Sequence, residues 1–175
     1  MRAIRFLFIL LVFPFFTYPM TVEVYFSPKG GCADAIEKKV DSAKKEILVA
    51  VYTFTSSQLA WALVRARKRG VDVKVVLDVS EAENPFSKVE FLKNKGIETK
   101  IDYYHILQTQ RKMRKFPGKM HHKFAVIDEE VVITGSYNWT ATAEEHNDED
   151  CLIFTDAGEL ARVYKKKFFT IWERN

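Results

Sequence analysis

Cysteine is scarce in this chain of 175 residues: Cys32 and Cys151 are the only two, and they lie far apart, outside any C-x-x-C or Cys/His ligand spacing. Structural zinc is thereby disfavoured. In an exported chain the two could pair as a disulfide, or both could be buried free thiols. Histidine offers a metal little more, because His105 and His146 are remote in sequence from the pair His121 and His122 and no third histidine lies close. We therefore expect no metal and no cofactor. The chain also lacks internal repeats and any low-complexity linker, and its 47% hydrophobic content, with 14 Phe and 7 Tyr, argues against disorder. One globular domain over residues 21–175 is expected.

A long apolar run is missing too. Arg2 and Arg5 precede the apolar stretch from Phe6 to Phe16, closed by Thr17-Tyr18-Pro19. That is short of the roughly 20 residues that span a bilayer, so residues 1–20 read as a signal peptide and the protein as exported, periplasmic or secreted. No A-x-A cleavage site follows. The alternative is an uncleaved anchor over residues 6–24 that associates the protein with a membrane.

Acidic residues are absent between Asp102 and Asp128, where Arg111, Lys112, Arg114, Lys115, Lys119 and Lys123 all fall. The acids gather at Glu144, Glu145, Asp148, Glu149 and Asp150 instead. Net charge is only +4, so the distribution carries more information than the sum. A single-signed stretch suits a polyanion, and Tyr103, Tyr104 and Phe116 interleave with its cations where they could stack on the bases of a single strand. The competing reading is a solvated basic loop whose aromatics pack it down.

Periodicity gives the elements. Val22 to Phe26 alternates and meets a Ser27-Pro28-Lys29-Gly30-Gly31 turn, and Ala33, Ile36, Val40 and Ala43 recur at helical spacing. Ile47 to Tyr52 reads as a strand buried on both faces. Ser56 or Ser57 caps a helix that ends before Gly70, with Arg65, Arg67, Lys68 and Arg69 suiting its dipole. Further strands are expected at Val71–Val79, Ile97–Ile101, Phe124–Ile127, Val131–Thr134 and Leu152–Phe154, and further helices at Pro85–Lys95 and Glu159–Trp172. The alternation predicts an α/β class, a layered α/β/α sandwich with a mixed, largely parallel sheet.

The chemistry concentrates in His121-His122-Lys123-Phe124-Ala125-Val126-Ile127-Asp128 and Gly135-Ser136-Tyr137-Asn138. In an extended segment His121 and Lys123 share a face, and His122 points away to pack or to meet solvent. Imidazole is a competent nucleophile near neutral pH, with an unperturbed pKa of about 6.5. Gly135 permits close backbone approach, and Ser136 and Asn138 again share a face and offer donors to phosphate oxygens. A cation with fixed donors is what a phosphoryl transition state requires. Asp128, at the strand end, either orients a side chain or supports the turn.

The pattern His121-x-Lys123-x4-Asp128 with Gly135-Ser136-x-Asn138 resembles the HKD motif of the phospholipase D superfamily. Tyr25-Phe26-Ser27-Pro28, Ile47 to Thr55 and Arg69-Gly70-Val71-Asp72-Val73-Lys74-Val75 resemble its small bacterial endonucleases and the related mitochondrial cardiolipin hydrolase or piRNA-pathway nuclease. The resemblance implies catalytic roles for His121, Lys123, Asp128, Ser136, Asn138 and Glu149. His121 would form a phosphohistidine, Lys123, Ser136 and Asn138 would hold the phosphate, and Glu149 would bond the histidine ring. One motif supplies only one histidine, so the resemblance implies a homodimer with its active site at the interface. The expected activity is metal-independent hydrolysis of nucleic acid: DNA, with RNA not separable from it because a backbone-gripping site reads no 2′-hydroxyl. A single strand is favoured, and Arg111, Lys112, Arg114, Lys115 and Lys119 are expected to bind the substrate. The alternative substrate is an anionic phospholipid such as cardiolipin.

Overall fold

The computed structural model describes residues 19–111 and 118–174. Residues 1–18 and Lys112, Arg114, Lys115 and Phe116 lie outside these residues, so the expectations attached to them belong to the sequence alone, whereas Thr21 to Val24, the end of the alternative anchor, pair with Thr155 to Leu152 in the sheet.

The chain runs β1 (Thr21–Ser27), α1 (Cys32–Ser42), β2 (Glu46–Val51), α2 (Ser57–Lys68), β3 (Asp72–Asp78), a 3-10 turn (Val79–Ala82), α3 (Val89–Asn94), β4 (Glu98–Asp102), α4 (Tyr104–Arg111), β5 (Lys123–Ile127), β6 (Val131–Gly135), α5 (Ala141–Glu145), β7 (Glu149–Thr155) and α6 (Gly158–Trp172). Among the described residues the strands form one sheet in the order β1-β7-β6-β5-β2-β3-β4. The α/β class and the mixed sheet agree with expectation. The parallel share does not: β2, β3 and β4 pair in parallel, whereas β1–β7, β7–β6, β6–β5 and β5–β2 are antiparallel. Among the described residues, only β2, β3 and β4 are sheet neighbours whose helical connections return the chain in the same direction. The three-residue turn Asp128-Glu129-Glu130 between β5 and β6 can make nothing but an antiparallel hairpin.

Both faces of β2 are covered, which is why its sequence is continuously apolar. Ile47, Val49 and Val51 pack with Ile36, Val40, Leu59 and Leu63 of α1 and α2. Leu48 and Ala50 pack with Ala161, Phe168 and Ile171 of α6. Three layers result. Ser56 is the cap of α2, its hydroxyl accepting from Leu59 N at 3.3 Å, and Arg65 ties α2 to α1 through Glu37 and Asp41 at 2.5 and 2.8 Å. Cys32 and Cys151 are buried free thiols, and burial pushes their pKa up to about 11 and about 12.

The helix expected from Pro85 is confined to Val89–Asn94, because Asn84 turns the chain first: its side chain accepts from Phe86 N and its carbonyl from Ser87 N. The short helices α4 and α5 were not anticipated from periodicity.

Asp128, expected among the catalytic residues, is engaged by backbone at the far end of β5. It follows β5 at the opposite end from Lys123, in a left-handed conformation (φ 53°), and its carboxylate accepts from Lys44 N, Lys45 N and Glu46 N at 2.8, 2.7 and 2.9 Å. It therefore pins the β5–β6 turn to the entry of β2. Asp128→Ala removes three charge-assisted bonds from backbone groups that water can reach, and should cost about 2 kcal/mol. We expect a lower urea midpoint with unchanged specific activity at low temperature; a large activity loss at an unchanged midpoint would restore a catalytic role.

Candidate active site at the strand ends

The register of the sheet assembles the motif. Lys123 at the start of β5 faces Val51 at the end of β2. One step beyond the Phe124–Thr134 pair, Gly135 ends β6 opposite Cys151 of β7. Neighbouring strands lie about 4.8 Å apart, so the residues leaving these ends fall in one small area.

The backbone around His121 is clamped from two strands. Met120 N donates to Oδ2 of buried Asp78 at 2.8 Å, and Tyr52 N donates to the His122 carbonyl at 2.8 Å. The exposed imidazole of His121 leans on the ring of Tyr52, with centroids 4.5 Å apart. Lys123 Nζ lies 3.0 and 3.2 Å from the two imidazole nitrogens and donates to the His121 carbonyl at 3.0 Å. Lys119 completes the group by donating to the Tyr52 hydroxyl at 2.8 Å. His122 is turned away, edge-on to Phe124 at 5.5 Å.

These neighbours set the charge state. Desolvation, followed by the charges of Lys123 and Lys119, holds the His121 pKa below the ordinary imidazole range, with Asp78 opposing. An ammonium has donors only, so its contact with the ring also fits a neutral imidazole. A neutral ring keeps a lone pair for attack. Partial burial similarly lowers Lys123 below the ordinary amine range, and Glu149 works against that shift.

A second group gathers around the end of β6. Ser136 N and Tyr137 N both donate to the Asp150 carbonyl, at 3.1 and 3.2 Å. Ser136 Oγ donates to Glu149 Oε2 at 2.5 Å and accepts from Asp150 N at 3.1 Å. This crossing requires Gly135, whose φ is 143° and whose added Cβ would stand 2.2 Å from the Asp150 carbonyl oxygen. Glu149 was expected on the histidine ring. Its oxygens instead accept from Ser136 and from Asn147 Nδ2, the latter at 3.0 Å, and its link to the first group is its field at Lys123. The side-chain Oδ1 of Asn138 is buried without a hydrogen-bond partner.

Of the other expected cations, Lys119 sits at the site. Arg111 ends α4 and lines a separate cavity with Tyr104, Leu107 and Arg174. Sequence reasoning missed Tyr52, Asp78 and Asn147. Tyr52 read as one more apolar strand residue, Asp78 is 42 positions from the amide it holds, and Asn147 bore no motif of its own. Among the described residues, no group of three or more His, Cys, Asp or Glu side chains could hold a metal ion.

NMR titration of the His121 ring tests this charge state. Lys119→Gln removes a cation that disfavours the imidazolium, so the His121 midpoint should move upward, and the acid limb of any activity profile with it. An unchanged or lower midpoint would show that the Lys119 charge does not reach the ring.

Comparison with known proteins places these features in a family. Residues 36–172 match the model described as cardiolipin synthase, PLD-like domain. The chain is 36% identical over 154 residues to a phospholipase D of Rickettsia bellii, covering 88% of this chain and 70% of that protein. It is 35% identical over 171 residues to the mitochondrial cardiolipin hydrolase of Xenopus laevis, covering 91% and 75%. The crystal structure of Nuc from Salmonella typhimurium, a phospholipase D family member, superposes with a TM-score of 0.78 at 30% identity, covering 89% of this chain and 95% of that one. With the family pattern His121, Lys123, Gly135, Ser136 and Asn138 gathered at one set of strand ends, the chain belongs to the phospholipase D superfamily of phosphodiesterases.

Proposed function

We propose that the protein is a metal-independent endonuclease that hydrolyses DNA, and RNA by the same chemistry, through a phosphohistidine on His121. The observation that carries this reading is the pairing of a neutral-leaning imidazole with the ammonium of Lys123 at 3.0 Å, in a stretch free of acids from Tyr103 to Ile127. The unprotonated ring nitrogen of His121 attacks phosphorus and a P–N bond forms. The P–O bond to the leaving strand breaks, and that oxygen takes a proton from a second imidazole. Water then gives its proton to the same imidazole and attacks phosphorus, the P–N bond breaks, and the second strand end leaves as a phosphate monoester. Lys123, Ser136 and Asn138 face the non-bridging oxygens. Both Ser136 and Asn138 are held by backbone contacts that require no substrate.

The second imidazole is His121 of another copy. A surface supports that reading: α6 packs across β6, β5, β2 and β4, and on this face Val22, Val24 and Phe26 of β1 stay exposed. Phe26 and Ser27 pair with Asp150 and Glu149, so this apolar ridge ends beside the catalytic group. A two-fold contact over it would bring the two copies of His121 towards each other. The pair would titrate together, one ring neutral and one protonated, and give a bell-shaped pH profile. Val24→Asp with Phe26→Asp should yield a folded monomer with activity lost, by light scattering and cleavage assay; a fully active monomer would remove the need for a second histidine.

The second reading is hydrolysis of an anionic phospholipid. It is favoured by the relative named mitochondrial cardiolipin hydrolase and by the apolar N-terminal stretch of the sequence. The nuclease reading takes precedence because its cations and aromatics interleave, and stacking has no use on a lipid head group. The deciding experiment offers the purified protein, in excess EDTA, single-stranded DNA, duplex DNA, RNA and cardiolipin vesicles side by side. We expect cleavage of nucleic acid in EDTA, its abolition in His121→Ala with substrate binding retained, and an acid-labile phosphoenzyme after quenching. Cleavage restricted to cardiolipin would overturn the substrate assignment, and activity that returns only with added divalent metal would overturn the mechanism.

A further inference from the structure

A groove of about 640 Å3 opens beside Asn138, between the start of α2 and the turn that precedes α3. Its volume is within the range of ligand sites, and its polar lining includes the hydroxyls of Thr53, Thr55, Ser57 and Thr142. Among the described residues Lys88 is the only charged one in its lining, and no carboxylate there opposes an anionic occupant. Phe86 stands over the groove with 75% of its surface exposed.

An isolated exposed apolar residue is ordinary on a protein surface. Phe86 differs in how it is held. Glu81 is 3% exposed, and a carboxylate so buried is costly unless hydrogen-bonded. Its Oε2 accepts from Phe54 N at 3.2 Å and its Oε1 from Asn84 Nδ2 at 2.9 Å. Asn84 Oδ1 in turn accepts from Phe86 N at 3.0 Å, and Lys88 N donates to the Phe54 carbonyl at 3.0 Å. Phe54 itself bridges Trp139, the residue after Asn138. One hydrogen-bonded frame therefore fixes the backbone at Phe86, Lys88 and Trp139, next to Asn138, relative to one another. An exposed ring carried on a hydrogen-bonded backbone, beside a cation and residues bearing hydroxyls, suits a stacking platform with an attached phosphate contact. Asn138 Oδ1, buried and unpartnered, adds a polar atom that a substrate donor or a rotated amide would satisfy.

We propose that this groove is a subsite for the nucleotide adjoining the scissile phosphate of a single-stranded nucleic acid, with Phe86 stacking on its base and Lys88 pairing with its outer phosphate. The proposal builds on the nuclease reading and goes beyond it in selecting unpaired bases, since a base in a duplex has no free face to offer.

The test compares the full-length protein with Phe86→Ala, Phe86→Trp and Lys88→Ala on a fluorescein-labelled oligothymidylate, on a duplex of equal length and on bis(p-nitrophenyl) phosphate, which has no flanking nucleotide. Phe86→Ala should raise KM for the single strand roughly tenfold with kcat within about twofold, and leave the small diester unchanged, because stacking contributes to uniform binding. Phe86→Trp should restore the wild-type KM, and Lys88→Ala should flatten the salt dependence. An unchanged KM in Phe86→Ala, or an equal loss on the small diester, overturns the subsite while the nuclease reading stands. If the wild-type protein hydrolyses the small diester but neither nucleic acid, the nuclease reading falls and takes the subsite with it. An unaltered melting temperature is expected for Phe86→Ala, whose ring is exposed, and separates these outcomes from misfolding.

Discussion

At Gly135 the backbone of β6 crosses β7 so closely that the Asp150 carbonyl accepts from both Ser136 N and Tyr137 N. No residue with a Cβ fits there without displacing main chain. The rest of the site depends on this crossing. It turns the chain so that Ser136 meets Glu149 and Asp150, and so that Tyr137 goes into the core and donates to Glu144 at 2.9 Å. Glu144 then accepts from Gly31 N and Ala33 N at the head of α1. A main-chain contact thus connects the Ser136 hydroxyl to the packing of the first helix.

The imidazole of His121 is held below its ordinary pKa by desolvation and neighbouring cations. His121 has Lys123 and Lys119 around it, while Glu149 is engaged by Ser136 and Asn147. Two consequences follow from the charges. The shift favours the neutral ring, and the same cations attract an anionic phosphate that Coulomb repulsion would keep from a carboxylate-rich site. An incoming phosphate also gives Lys123 a stronger acceptor than an imidazole nitrogen, which frees the ring.

The two faces of the strand ends divide the remaining work. On one face the Val22, Val24 and Phe26 ridge is apolar and stops at the catalytic group, which suits a second copy of the chain. On the other the groove beneath Phe86 is lined by Thr53, Thr55, Ser57 and Lys88, which suits a strand of polyanion. The ridge ends at Asp150 and Glu149 and the groove is lined by Asn138 and Asn147, so the two surfaces share no residue.

The sequence by itself determined the existence and type of most elements, because burial on one or both faces of a strand and one side of a helix leaves periods of two and 3.6. It also determined that His121, not His122, joins Lys123, since alternate residues of a strand share a face. Spacing cannot report pairing partners. The antiparallel majority of the sheet, the scaffold role of Asp128 and the engagement of Glu149 by Ser136 and Asn147 all depend on which strands and loops become neighbours. Those neighbours are far apart in the chain: Asp128 is 84 positions from Lys44, and Asp78 is 42 from Met120. Tyr52 and Phe86 were equally illegible, one reading as core and the other as helix. Only packing reveals that the first touches the nucleophile and that the second is held out into solvent. Residue chemistry and period are local properties written in the chain, whereas the field at His121 and the width of the groove are properties of contacts that the folded sheet alone creates.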